Sequence, residues 1–290
     1  MMTKRPRFCD AFSGFICLSL LLVISASISP QVAAAEDDWR KRPSVETGAA
    51  ATEDVVAEID FGREVGARIL GKYPLHDDKQ IMKYVTLVGR ALAQNTNRPE
   101  IEFHFAVIST DEINAYAAPG GYVFVTKGAL ALMKDEAELA GALAHEITHI
   151  TEKHIVKDLN IKGTADSPAA GFARLIGGAS ESARMAFSQA VDKAVDMLFK
   201  DGYKREDEVR ADRGAALLAT LSGYDPTALA RYLDRIAKNK SKTTEILDKT
   251  HPSYDSRITL ITGMIAGEGI DPSGLKTSQA RFAENMKTLK

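Results

Sequence analysis

The chain has only two cysteines, Cys9 and Cys17, both close to its start. Beyond them no disulfide can form, and any metal site must be built from His, Asp and Glu. Charge of one sign is also lacking: 37 basic residues against 39 acidic ones leave a formal net charge of −2. No basic block marks a nucleic-acid surface, so nucleic acid is not expected as a partner. Apolar residues make up 45% of 290. That is too many for a disordered chain, and they are too dispersed for several membrane spans. No internal repeat is present, and the one long apolar run lies at the beginning.

That run reads as a targeting segment. Lys4, Arg5 and Arg7 precede an apolar stretch over 15–28 containing Leu20, Leu21, Leu22, Val23 and Ile24, and Ala33-Ala34-Ala35 follows. A positive start, a short apolar middle and a small-residue site predict a secretory signal over 1–35, cleaved near Ala35. An uncleaved anchor is the alternative, but the clean apolar core is short of the ~20 residues of a span. Cys17 lies inside the run and follows Ile16, so lipidation is not expected. Residues 36–290 then carry 34 basic and 38 acidic side chains and no cysteine. Their expected location is the periplasm or the exterior.

The remainder divides into a polar, Ala-rich linker over 36–52, one domain over 53–270 and a loosely attached tail over 271–290. Apolar spacing predicts a helix from Glu53 to Pro74 and a second with Ile81, Tyr84, Val85, Val88 and Leu92 on one face. The stretches 101–108 and 122–126 read as strands, the second entered through Pro119-Gly120-Gly121. Asp135 with Glu138 has the spacing of a capping box and opens a helix running to about Leu159. Residues 163–182 are rich in Gly, Ala and Ser and read as a mobile stretch, a lid or a plain surface loop. Further helices are expected around Phe187–Leu198, from Arg205 to Gly223, after Asp225-Pro226, and after Ser253. The pattern predicts an α+β fold, mostly helical, with a small antiparallel sheet beside the helix that carries the chemistry.

That chemistry sits in His145-Glu146-Ile147-Thr148-His149. Residues four apart lie about 40° from each other around a helix, so both imidazoles can reach one metal ion. Glu146, about 100° away from His145, can reach past the metal toward a water. Two neutral imidazoles, a carboxylate and an open position suit one catalytic Zn²⁺. The third ligand is sought downstream. His154 lies nine residues beyond His145, pointing the opposite way on a continuous helix, and reads as a surface or packing residue, while His76 and His104 read as structural. Arg205-Glu206-Asp207-Glu208-Val209-Arg210-Ala211-Asp212 opens an otherwise apolar helix. It could be a solvated first turn, where acids are favoured. But Glu208 and Asp212 share a face, so Glu208 can bind the metal while Asp212 accepts the free N–H of a histidine ligand.

With these residues in place the sequence resembles the M48 family of gluzincin metallopeptidases. His145-Glu146-x-x-His149 and Arg205-x-x-Glu208-x-x-Ala211-Asp212 carry the resemblance. So do Asn114-Ala115-Tyr116 with Pro119-Gly120-Gly121 ahead of the zinc helix, and His251-Pro252 with Arg257-Ile258 behind it. These ordered segments cover roughly residues 53–267. No multi-span membrane region is present, which favours a soluble secreted branch linked to envelope protein quality control.

The resemblance implies a zincin-like domain and zinc-dependent endopeptidase activity on unfolded, extended or misassembled envelope proteins. Peripheral outer-membrane or assembly contacts are a further expectation. Glu146 is then the general base for attack by a zinc-bound water. His251, Tyr254 and Arg257 are candidate transition-state donors; Arg257 could equally pair with a carboxylate, and His251 could occupy the open zinc position in a latent enzyme. Substrate is expected to add as a strand along 116–126, with Asn114, Ala115 and Tyr116 near the cleft. The competing expectation is a zinc-containing, latent or chaperone-like envelope protein. The intact Glu146 argues against it, because a purely structural site needs no general base.

Overall fold

The structure is a computed structural model, and it describes residues 49–163 and 181–289. The expected signal, most of the linker and nearly all of the 163–182 stretch lie outside the described residues. Among those described, no helix is long and apolar enough to cross a membrane.

Helix α1 (Ala49–Lys72) is followed by α2 (Lys79–Ala93). The Asp78 carboxylate caps α2 by accepting from the Gln80 and Ile81 amides at 2.9 and 3.0 Å. The stripe Ile81, Tyr84, Val85, Val88 and Leu92 is buried, as its spacing predicts. Three short strands come next: β1 (His104–Ile108), β2 (Ala115–Ala118) and β3 (Tyr122–Thr126). The sheet order is β1-β3-β2. β2 and β3 pair antiparallel, whereas β1 and β3 run parallel.

The sheet is therefore mixed rather than antiparallel. The reason is topological: β3 inserts between β1 and β2 after two reversals of chain direction, so it runs the same way as β1. Alternation along the strands reads imperfectly because both faces are covered. Phe105, Val107, Ala117, Val123 and Val125 join one apolar core with α2. Ala106, Ile108, Tyr116, Ala118, Tyr122 and Phe124 face the other, against Phe61, Val65 and Ile69 of α1. The β2–β3 turn passes so close to α1 that a Cβ on Gly120 would stand 2.5 Å from the Ile59 backbone, and Gly120 has φ 72°. Only glycine meets both demands cheaply.

After α3 (Lys127–Leu132) comes the central helix, α4 (Glu136–Thr151), in which every residue from Glu136 to Ile150 is buried. Asp135 accepts the Glu138 amide at 2.9 Å, but Glu138 turns to the Lys134 amide and to Arg235, so only half of the expected capping box forms. The helix also ends earlier than its apolar spacing suggests. Lys153 takes a left-handed conformation, φ 59°, and a separate short helix, α5 (His154–Asp158), follows.

Helix α6 (Glu181–Asp196) comes next and ends in one π turn over Met197–Asp201. Then come α7 (Arg205–Leu221), α8 (Ala228–Lys238), α9 (Glu245–Thr250), α10 (Tyr254–Gly267) and α11 (Gln279–Asn285). The tail over 271–290, expected to be loose, is tied down within its described part. Phe282 is buried, and Arg281 pairs with the buried Glu136 of α4. That carboxylate also accepts the Tyr84 and Tyr224 hydroxyls at 2.5 and 2.8 Å.

Candidate metal centre

His145 and His149 lie one turn apart on α4, with their Nε2 atoms 3.1 Å from each other. Glu208, on the first turn of α7, brings Oε2 to 3.7 Å from His145 Nε2 and Oε1 to 3.5 Å from His149 Nε2. One ligand atom from each of these three residues lies within 4.8 Å of the others. Close approach of α4 and α7 makes this geometry. Gly214 of α7 faces Thr148 of α4 so tightly that a Cβ there would stand 2.4 Å from Thr148 Cγ2.

The set fits a metal ion on its own chemistry. Both carboxylate oxygens of Glu208 are buried without a hydrogen-bond partner. A buried carboxylate in that condition is costly. Burial accordingly drives its pKa well above the ordinary range. The two imidazoles present no positive charge to it: burial first, then Arg257 for His145 and the neighbouring histidines for His149, hold both below the usual imidazole value. Two neutral nitrogens and one orphaned carboxylate facing one point are a cation-ligand set.

The surroundings orient the ligands. His145 Nδ1 lies 3.0 Å from Asp212 Oδ1. Arg257 Nη2 lies farther from that nitrogen, at 3.2 Å, and is engaged with Asp212; a carboxylate only accepts, so the shorter contact puts the His145 proton on Nδ1 and leaves a lone pair on Nε2. Arg257 of α10 in turn donates to Asp212 through Nη2 at 2.7 Å and Nε at 3.0 Å. Burial alone would raise the Asp212 pKa, but the Arg257 guanidinium and His145 outweigh it and hold that carboxyl well below the usual carboxylate range.

Glu146 lines a cleft with His145, His251, Arg257, Asn114 and Ala115, floored by Met133, Leu229, Leu233 and Ile236. Burial pushes its pKa up to about 8, against the opposing pull of Arg257. His251 points its Nε2 to 3.8 Å from Glu208 Oε1. A second cluster, His145, Glu146 and His251, shares the first one's His145.

The other expected residues divide. Arg257 reaches the site but is engaged with Asp212, which matches the pairing alternative. Tyr254 does not enter the cleft: its hydroxyl donates to Asp248 Oδ1 at 2.6 Å. Tyr116 turns away as well, packed against Phe199 with ring centroids 4.6 Å apart. The Asn114 side chain accepts the Ala115 amide at 3.0 Å and fixes the entry to β2. Of the 116–126 stretch expected to form the substrate edge, β3 is paired on both sides. Only β2 is an edge, and along it the Tyr203 hydroxyl sits 3.5 Å from the Ala117 carbonyl.

Two roles are absent from the sequence analysis. His154, read there as a surface or packing residue, is buried and packs, but against a metal-ligand candidate, with Nδ1 2.8 Å from His149 Nδ1. The break at Lys153 redirects it, and neither Gly nor Pro marks that break. Tyr203 stacks on His149, with ring centroids 3.9 Å apart and planes at 21°. It lies in the short link before α7 and carries no local sequence signal.

Known proteins resemble the chain along this frame. The family model described as Peptidase family M48 matches residues 80–265. The β-barrel assembly-enhancing protease of Escherichia coli K12 is 27% identical over 256 residues, covering 82% of this chain and 50% of its own length. The protein of the same name from Yersinia pestis is 30% identical over 236 residues, covering 75% and 46%. The E. coli metalloprotease YcaL is 25% identical over 210 residues, covering 72% and 76%. The chain thus spans about half the length of the β-barrel assembly-enhancing proteases it matches. A family model running from α2 to α10 takes in the paired histidines, Glu146, Glu208 and Asp212 together, and the chain belongs to peptidase family M48, the metal-dependent proteolytic hydrolases.

Proposed function

We propose that the chain is a zinc endopeptidase of the cell envelope that hydrolyses unfolded or misassembled proteins. The observation that carries the metal reading is Glu208, a fully buried carboxylate with both oxygens unpartnered and aimed at two imidazoles. Nitrogen and carboxylate donors without thiolate suit zinc. Held by His145, His149 and Glu208, the ion would supply Lewis acidity and make a water nucleophilic near neutral pH.

The chain's own residues do the rest. Glu146 takes the proton of the attacking water and returns it to the leaving amine. Burial raises the Glu146 pKa, and a dication held by His145, His149 and Glu208 would favour its ionised form. Asp212 holds the His145 tautomer, and Arg257 keeps Asp212 ionised. Leu229, Leu233, Ile236 and Met133 form the wall that takes an apolar side chain and excludes water. Ala115, at the start of β2, lines the cleft, and an extended backbone would add there by displacing the Asn114 side chain from the Ala115 amide.

An envelope location rests on the predicted signal, and misassembled substrates are in keeping with relatives named for enhancing β-barrel assembly. His251, 3.8 Å from Glu208 Oε1, supports a second reading in which the same site is held latent. The test is degradation of casein by the full chain beside a Glu146→Gln variant with confirmed zinc. Cleavage by the wild type alone supports the peptidase and the role of Glu146; equal cleavage by both refutes that role. If neither cleaves while zinc is bound, activity gained by His251→Ala supports latency.

A further inference from the structure

His145 has a carboxylate, Asp212, to set its tautomer. His149 has none at its Nδ1, which meets the Nδ1 of His154 instead, at 2.8 Å. A hydrogen bond between two neutral imidazoles has a direction, and here the direction decides whether the metal locus exists. If His154 donates, His149 must carry its proton on Nε2, pointing into the space 3.1 Å from His145 Nε2. If His154 accepts, His149 carries its proton on Nδ1 and turns a lone pair to the metal.

Asp207 biases the choice. Its Oδ1 lies 3.6 Å from the buried His154 Nε2, an electrostatic contact outside hydrogen-bond reach, and the same oxygen accepts from Arg210. A carboxylate at that end favours the proton on His154 Nε2, which leaves Nδ1 as the acceptor. The ring of His149 is held in place to receive this contact. Tyr203 stacks on it at 3.9 Å, and the His154 ring meets it edge-on, centroids 4.9 Å apart at 77°. Lys153 adopts φ 59° immediately before His154, a conformation unfavourable for a residue with a Cβ. Such strain persists where surrounding structure over-determines it. Here it turns a histidine inward that a continuous helix would point outward.

We propose that His154 is a positioning residue for the metal: its Nδ1 accepts the His149 Nδ1–H, directed by Asp207, and so fixes His149 in its metal-binding tautomer. The inference rests on the reading of His149 as a zinc ligand. Its test measures zinc affinity by chelator competition in the full chain, for wild type, His154→Leu and His154→Asn. The Leu variant, which has no acceptor, is expected to bind zinc about 10–100-fold more weakly. The Asn variant can place a carbonyl oxygen near the lost Nδ1 and is expected to recover most of that loss. Nitrogen-15 spectra of the zinc-loaded wild type provide a readout independent of any variant's folding. They should show the proton on Nδ1 of His149 and on Nε2 of His154. Wild-type affinity in the Leu variant, no rescue by Asn over a folded Leu variant, or a proton on His154 Nδ1 each overturns the inference. Absence of zinc binding by the wild type overturns the metal reading itself, and this inference with it.

Discussion

Stripping the metal and replacing Glu146 by Gln is expected to stabilise the apoprotein, and more so as pH rises. Glu146 is buried, with its pKa moved from 4.5 to about 8. Between those values the native state keeps a proton that the unfolded chain has released. Native stability therefore falls as pH rises through that window. At about 1.4 kcal/mol per pKa unit, the full shift corresponds to about 5 kcal/mol as an upper bound. Roughly 3 kcal/mol of it develops between about pH 5.5 and pH 8. Gln has no proton to lose, so its variant lacks this slope. Glu208 remains in both proteins, and removing Glu146 also relieves the repulsion that raises Glu208, which works in the same direction. Urea denaturation of chelator-treated wild type and Glu146→Gln at both pH values reads the difference directly. Parallel behaviour of the two proteins across the window would show that burial does not hold Glu146 protonated, and the reasoning fails. Zinc should narrow the gap at the higher pH, where its ligands and Glu146 are easiest to ionise.

Glu208→Gln should lose zinc affinity in chelator competition while raising apoprotein stability near neutral pH, because an unpartnered buried carboxylate disappears. Arg257→Ala strands the buried Asp212 carboxylate and should cost about 3–5 kcal/mol in denaturant unfolding; a loss below about 1 kcal/mol, the scale of an exposed pair, would mean that the pair is relaxed. Gly214→Ala places a Cβ against Thr148 and should cost about 1–3 kcal/mol. It should also weaken zinc binding, since Glu208 rides on the displaced helix; unchanged zinc affinity would separate helix spacing from ligand geometry.

Residues whose relation is local were the most legible. His145 and His149 sit one helical turn apart, and so do Glu208 and Asp212, so each pair could be placed on one face before any fold was known. That α4 is buried along nearly its whole length follows less directly, because its charged residues find partners far along the chain: Glu136 with Arg281, Glu138 with Arg235. The tail looked loose for the same reason, since nothing near Arg281 in sequence announces Glu136. Tyr254 had the chemistry of a cleft donor, but the helix that begins after Ser253 turns its hydroxyl to Asp248.

Periodicity and spacing alone specify the longer helices but not the short α3, α5, α9 and α11, together with two of the three strands and a His-Glu-x-x-His segment ready for a metal, because those are properties of residues within a turn or two of each other. The convergence of Glu208 on that segment, the parallel pairing of β1 with β3 and the inward turn of His154 after Lys153 belong to the tertiary structure. Each depends on contacts between elements distant in sequence or on a backbone conformation that the neighbouring residues do not prefer. Such choices are settled by what the whole core can bury and pair.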